Sequence, residues 1–259
     1  MNLQLIPTDL LQDYLRNLPA GLQEAVDRLQ DAELSTPNFS FYTSVASVFS
    51  SKIEGEAIEL DSYLKHKRDG IAFQPDYTKK IDDLYEAYEF AQVNPLYELC
   101  MKAAHRLLSK NLVASAWQGN YRAQNTYVNT EDGKIEYLAP LAQHVKSEME
   151  KLFIDILNLM QTDLSIEELF YFAAMIHLVF VKIHPWNDGN GRSARLIEKW
   201  FLAEKLGHKA WFIQSEKMYY LNHQGYYQNI RALGLEYEHL DYSKAMPFLE
   251  MLPKALITN

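Results

Sequence analysis

SIEELFYFAAMIHLVFVKIHPWNDGNGRSAR, Ser165–Arg195, is the stretch whose reading decides the fold. Ser165 and Glu168 have capping-box spacing, in which serine and a glutamate three residues on satisfy each other's backbone N–H. The run behind them (Leu169, Phe170, Phe172, Met175, Ile176, Leu178, Val179, Phe180) is apolar nearly all round, which marks a buried central helix to about Ile183. Pro185 stops it. A polar loop then leads to a second helix, from Asn190 or Gly191 through Trp200 to Leu206, with Gly207 as its stop.

Working outward, helical periodicity dominates. Thr8 caps a short helix through Leu18, and Gly21 to Leu29 forms the next. Phe39 to Glu54 and Ala57 to His66 read as two more, broken at Gly55. Asp82 to Val93, Pro95 to Ser109 and Leu141 to Leu159 follow as amphipathic helices. Lys67 to Thr78, with Gly, Pro and mixed charge, reads as a linker. The exception is Gln124 to Leu138, where apolar alternation flanks Asp132-Gly133, a β-hairpin signal. A lone hairpin in a helical protein needs packing or a partner to be stable. The expected class is all-α with one small hairpin.

Hydrophobic residues make up 48% of the 259, enough for a sizeable core. The net charge of −9 argues against a broad nucleic-acid surface and leaves room for a local basic pocket. The single cysteine, Cys100, excludes an internal disulfide framework and fits a reducing compartment. Met1 to Leu15 lacks a signal-peptide pattern, and Leu169 to Ile183 is too short to span a bilayer. The expectation is a soluble, cytoplasmic protein.

The loop His184 to Arg192 carries the chemistry. A polar Asn-Asp-Gly-Asn-Gly turn alone is a competing reading, but its flanks favour a site. His184 ends a helix whose carbonyls favour a protonated imidazole. Gly189-Asn190-Gly191 let backbone N–H groups turn toward one point at the next helix's start. Arg192 and Arg195, three apart, share a face where cations oppose the helix dipole, so a polyphosphate is the expected partner. Asp188 is a hard oxygen ligand suited to Mg²⁺ carried by phosphates. A histidine beside these groups can take a proton from an attacking hydroxyl. Phosphorus-group transfer follows from the residues; which group does not. Calcium-loop and Walker spacings are absent. His177 reads as a core residue, and His66, His105, His144, His208, His223 and His239 have no metal-ligand spacing. Cys100 alone makes no nucleophile pattern.

His184 to Arg195 resembles the Fic family signature, HPFx[DE]GNGRxxR, with Trp186 where the family usually has Phe. Gly119-Asn120-Tyr121-Arg122 before the hairpin resembles the family's GxYR segment and flap, and Tyr226-Tyr227 its nucleotide-side pair. The resemblance spans about Phe39 to Phe248. It implies a Fic fold and a protein adenylyltransferase that moves AMP from ATP to a Ser, Thr or Tyr hydroxyl of a protein target. His184 would be the general base and Asp188 the Mg²⁺ ligand. Gly189, Asn190 and Gly191 would form the anion hole. Arg192 would bind phosphate, Arg195 the γ-phosphate, and Tyr226 the nucleotide. The flap, Thr126, Tyr127, Val128 and Asn129, would align the target by strand addition.

Ser50-Ser51-Lys52-Ile53-Glu54-Gly55 fits the family's inhibitory pattern [ST]xxxE[GN]. Ser50 and Glu54 share one helix face, and Glu54 would pair with Arg195 and keep it from the γ-phosphate. The implied organisation is an inhibitory helical region over 1–75 and a catalytic core over 80–259. The alternatives are another Fic activity (AMP removal, or transfer of UMP, phosphoryl or phosphocholine) and a non-catalytic nucleotide-sensing regulator. Too few residues follow Leu249 for the winged-helix DNA-binding extension of some members. A homo-oligomer is compatible with the sequence.

Overall fold

The computed structural model describes residues 3–18, 20–73, 77–129 and 135–257. At its centre α8 (Ile166–Ile183) lies against α9 (Asn190–Leu206). Both sides of the expected capping box form, Glu168 N to Ser165 Oγ at 3.3 Å and Ser165 N to Glu168 Oε2 at 2.8 Å. Every residue of α8 from Leu169 to Phe180 is buried, as an all-round apolar helix requires.

Before this pair come α1 (Leu11–Asn17), α2 (Leu22–Asp27), α3 (Phe41–Ile53), α4 (Leu60–Asp69), α5 (Lys79–Val93), α6 (Glu98–Leu108) and α7 (Ala142–Gln161). After it come α10 (Ser215–Leu221), α11 (His223–Arg231), α12 (Met246–Leu249) and α13 (Met251–Ile257), whose pattern the sequence showed less clearly. One cluster of buried side chains runs from Ile6 and Tyr14 through α8 and α9 to Leu252. Asp155 ties the N-terminal segment down by accepting the N–H groups of Gln4, Leu5 and Ile6 at 2.7–2.9 Å.

Some boundaries differ from the expected ones. Thr8 is not the cap of α1; its carbonyl closes a turn on Leu11 N and Leu10 is the N-cap. The helix expected over Ala57 to His66 starts at Leu60 and runs on to Asp69. Lys67 and Arg68 continue it, and the left-handed Gly70 ends it. The linker therefore begins at Gly70. Its late start leaves 56–59 as a non-helical bend, with Glu56 N on Ser51 O.

The hairpin forms as β1 (Tyr127–Asn129) and β2 (Ile135–Leu138), paired antiparallel with Val128 opposite Tyr137. Asp132-Gly133, the expected turn, lies outside the described residues. Packing supplies what a lone hairpin lacks. Tyr137 is buried and donates its hydroxyl to Lys182 O at 2.6 Å, and the Lys182 ammonium lies 4.2 Å from its ring. On its outer side β2 bonds Leu235 O through Leu138 N, leaving the outer edge of β1 as the sheet's open edge among the described residues. No described helix is long and apolar enough to cross a membrane.

Candidate active site

The C-terminus of α8 aims the histidine. His184 follows Ile183 in the left-handed conformation (φ +52°), the one non-glycine described residue with a positive φ. For a residue with a Cβ this costs about 1–2 kcal/mol, so the surroundings must enforce it. Arg122 does so: its Nε donates to His184 O at 2.8 Å, Nη1 to Gln124 O at 2.9 Å and Nη2 to Pro140 O at 2.6 Å. Its backbone N–H reaches Pro185 O at 2.9 Å. One buried guanidinium thus ties the motif loop to both stems of the hairpin.

Trp186 anchors the loop from below. It is fully buried, stacked on His105 at 4.1 Å and on Tyr121 at 4.9 Å, so the larger ring keeps the packing role of the family's usual Phe. His105 is structural. Its Nδ1 accepts from Gly119 N, so Nε2 carries the proton and donates to Asp188 O at 3.0 Å. Asn190 clamps the loop with its whole side chain, accepting from Trp186 N at 2.9 Å and donating to Trp186 O at 3.0 Å. What Asn190 offers to an anion is its backbone N–H. Together with those of Gly191 and Arg192 it opens α9, where no carbonyl one turn earlier is available. Gly189 allows that opening by holding φ at +80° as the helix N-cap.

His184 corrects the expectation of a protonated imidazole. Burial, more than any neighbour, lowers its pKa to about 4, against the opposing effect of the bond to Val181 O. Removal from water outweighs the carbonyl end of the helix. The Val181 contact, 3.4 Å from Nδ1 to a carbonyl that only accepts, places the proton on Nδ1. Nε2 is left with a lone pair, the form a general base needs.

Arg195 lines the same cavity as His184. Arg192 is the third residue of α9 and Arg195 lies one turn further on, both buried. Arg195 is held by α3: Nε donates to Ser50 Oγ at 2.8 Å, and Nη2 donates to Ser50 O at 3.0 Å and to Glu54 Oε1 at 2.6 Å. Its Nη1 donates to Tyr226 Oη at 3.2 Å. Burial by itself would raise the Glu54 pKa, but the charges of Arg195 and Arg192 and the bond from Arg195 hold it below its ordinary value. Glu54 packs against Gly191, where no side chain fits beside it. His223 Nε2 and Tyr227 Oη both reach Ile53 O and brace the end of α3.

A residue the sequence did not single out takes the other arginine. Glu56, in the bend before α4, lies 3.4 Å from Arg192 and 2.7 Å from Lys80. Both site arginines are thus engaged by carboxylates from one short segment. The cavity left beside them is ≈ 170 Å³, below the roughly 300 Å³ at which ordinary small-molecule clefts begin. Glu54, His184, Gly191, Arg195, Tyr226 and Tyr227 line it together with Val128 and Tyr137 of the hairpin and Lys182 of α8. Glu136 of β2 pairs in two places with Arg231 of α11 and fastens the flap over the cavity. Of the flap residues, Val128 reaches the cavity, Tyr127 is exposed, and Thr126 O receives Ala139 N at the hairpin's base.

Asp188 is exposed, with Oδ1 accepting from Gly189 N at 2.6 Å. No three His, Cys, Asp or Glu residues among those described stand where they could hold a metal ion. This donor set fits a cation that arrives with phosphate ligands of its own and does not fit a resident metal.

A buried helix pair that brings a histidine and an arginine to one cavity under a β-hairpin is the arrangement expected of a Fic fold. Residues 95–202 match the Fic/DOC family. Solved structures agree on the fold. A Fic family protein from Desulfovibrio desulfuricans aligns with a TM-score of 0.75 at 21% identity, over 99% of this chain and 74% of that one. A Fic domain containing signaling protein from Bacteroides thetaiotaomicron aligns at 0.67 and 22%, over 92% and 91%. Fic-1 from C. elegans aligns at 0.66 and 15%, over 97% and 72%. No curated protein matches the chain.

Proposed function

We propose that the protein transfers AMP from ATP to a side-chain hydroxyl of a protein target, and that Glu54 holds this activity off. The observation that carries the reading is the shared cavity. A neutral His184 with a free Nε2 shares that cavity with Gly191 at the α9 N-terminus and with Arg195, while Arg192 stands one turn before Arg195 on the same helix. In the reaction His184 Nε2 takes the proton of the target hydroxyl as its oxygen bonds to the α-phosphorus. The bond from that phosphorus to the bridging oxygen breaks, and pyrophosphate leaves with the electron pair. The N–H groups of Asn190, Gly191 and Arg192 stabilise charge on the transferring phosphoryl oxygens. Arg195 holds the terminal phosphate and fixes the line of attack. Asp188 would hold Mg²⁺ on the nucleotide, and Mg²⁺ supplies neutralisation of phosphate charge. The open edge of β1 supports docking of the target as an added strand.

Self-inhibition is supported by the same contacts. With Glu54 on Arg195 and Glu56 on Arg192, an incoming triphosphate meets two carboxylates in place of two free guanidinium groups. The test is incubation with α-labelled ATP and candidate protein substrates, the enzyme itself included. AMP should appear on protein with Glu54→Gly, weakly with wild type and not with Glu54→Gly/His184→Ala. ATP binding by Glu54→Gly without AMP transfer to any substrate would sink the transferase reading and favour a nucleotide sensor.

A further inference from the structure

Behind Arg195 runs a line of buried polar groups for which the proposed chemistry has no use. Tyr226 Oη, which accepts from Arg195 Nη1 at 3.2 Å, lies 3.0 Å from His177 Nε2. His177 Nδ1 lies 2.6 Å from Glu198 Oε2, which also accepts the Tyr219 hydroxyl at 2.7 Å. Arg195, His177, Glu198 and Tyr219 are fully excluded from water and Tyr226 is 1% exposed.

For a neutral His177 imidazole the donors follow from the chemistry of the partners. A guanidinium only donates and a carboxylate only accepts, so His177 carries its proton on Nδ1, toward Glu198. Nε2 is then an acceptor and takes the Tyr226 hydroxyl proton. Tyr226 has one proton to give, and giving it to His177 turns its oxygen lone pairs toward Arg195. The line therefore has a direction, from Arg195 through Tyr226 and His177 to Glu198.

That direction bears on Arg195 because its other partners, Ser50 Oγ, Ser50 O and Glu54, all belong to the α3 segment. Tyr226, on α11, is independent of Glu54. When Glu54 gives way to a phosphate, Tyr226 still holds the guanidinium, provided its hydroxyl proton is engaged elsewhere. Burying a histidine, a glutamate and two tyrosines where apolar side chains would fill the space at less desolvation cost points to a role beyond packing.

We propose that His177, oriented by Glu198, is a positioning residue: it sets the polarity of the Tyr226 hydroxyl, and so keeps Arg195 aimed at the terminal phosphate once Glu54 has released it. The proposal rests on the reading of Arg195 as the terminal-phosphate ligand.

The experiment uses the full chain with Glu54→Gly, measuring calorimetric affinity for ATP and for AMP. His177→Phe should weaken ATP roughly tenfold, the scale of one lost hydrogen bond to a charged group, and change AMP by less than about twofold. His177→Gln, whose amide can accept from Tyr226 and donate to Glu198, should recover most of the ATP affinity. His177→Phe/Tyr226→Phe should bind ATP no worse than Tyr226→Phe alone. Equal losses for ATP and AMP, additive losses in the double variant, or unchanged ATP affinity would each overturn the proposal. Nitrogen-15 NMR of the wild-type histidines gives a readout free of nucleotide, with the proton of His177 expected on Nδ1; a proton on Nε2 overturns the proposal. If the Glu54→Gly parent binds ATP no better than AMP, the phosphate role of Arg195 fails, and the proposal fails with it, while the NMR result still reports the polarity of the line.

Discussion

Glu54 Oε1 meets Arg195 Nη2 at 2.6 Å across a separation of 141 residues, with the arginine fully buried and 27% of the glutamate side chain still exposed. One member of the pair is locked into the core and the other stands at its edge, so the glutamate is the half that can leave. Its departure costs less than a buried pair would, because water already reaches it. Glu54→Gly should therefore raise AMP transfer at least tenfold over wild type while shifting Tm by only a few degrees. Both are read from labelled-ATP incorporation and thermal melts. An unchanged rate with an unchanged melt would remove Glu54 from control.

Glu56 should act in the same direction and more weakly. It lies 3.4 Å from Arg192 and shares its charge with Lys80. Glu56→Gln is expected to raise ATP affinity two- to fivefold on its own, the scale of a partly exposed ion pair, and to add to Glu54→Gly. Titration calorimetry of the four-member set reads this. A Glu56→Gln protein that binds ATP less well would reverse the assigned role.

Acid should affect stability before it affects control. His105 and His184 are both lowered to about 4 by burial, against about 6.5 in an unfolded chain. Between these values the unfolded chain binds the protons and the folded one does not, so their contribution is fully present above pH 6.5 and is lost as pH falls toward 4. Glu54 is shifted below its ordinary range and stays charged in that window, so its grip on Arg195 persists. Urea melts at pH 7, 5.5 and 4.5 should show falling stability, while the Glu54→Gly to wild-type activity ratio stays constant. A ratio that collapses by pH 5.5 would show Glu54 titrating there.

Arg122 is expected to matter more than its distance from the phosphate site suggests. Removing its side chain leaves the carbonyls of His184, Gln124 and Pro140 without their donor and frees the strained His184 backbone. At about 1–3 kcal/mol for each acceptor left dry, Arg122→Leu should cost about 3–5 kcal/mol of stability. Any folded fraction should be slowed about 10²-fold by displacement of the base. Arg122→Lys, with no fork to reach three carbonyls, should recover less than half of either loss. Full activity in Arg122→Leu would separate the fork from the site.

The sequence was most legible where chemistry and spacing are local. His184 to Arg195 lies in one helix–loop–helix, so the positions of base, loop and arginines follow from where α8 ends and α9 begins. Glu54 was reached through a short motif, since nothing in its neighbours points to a partner on α9. Glu56 was invisible because its role depends on 57–59 failing to form the start of the helix that their pattern suggests. The protonation of His184 was misjudged for a related reason: the helix end is local and readable, whereas the burial that outweighs it comes from the hairpin and α3. Asn190 shows the limit within the motif itself, for its amide clamps Trp186 and only its backbone N–H is left for the proposed anion site.

Trp186 gives the sharpest test of how the loop is held. It is fully enclosed between His105, Tyr121 and Phe180, and its Nε1 has no hydrogen-bond partner among the described residues. An indole N–H buried without an acceptor is a cost that phenylalanine removes, and this offsets part of the packing that only the larger ring supplies. Trp186→Phe should therefore change stability by less than about 1.5 kcal/mol and leave AMP transfer in the Glu54→Gly background within twofold. Trp186→Ala removes the stacking surface entirely. It should cost about 3–5 kcal/mol and lower transfer with it, because the backbone that Asn190 clamps is Trp186's own. Denaturant melts and labelled-ATP transfer on both variants decide the matter. A Trp186→Phe protein as damaged as Trp186→Ala would mean that the indole, and not aromatic packing, holds the loop.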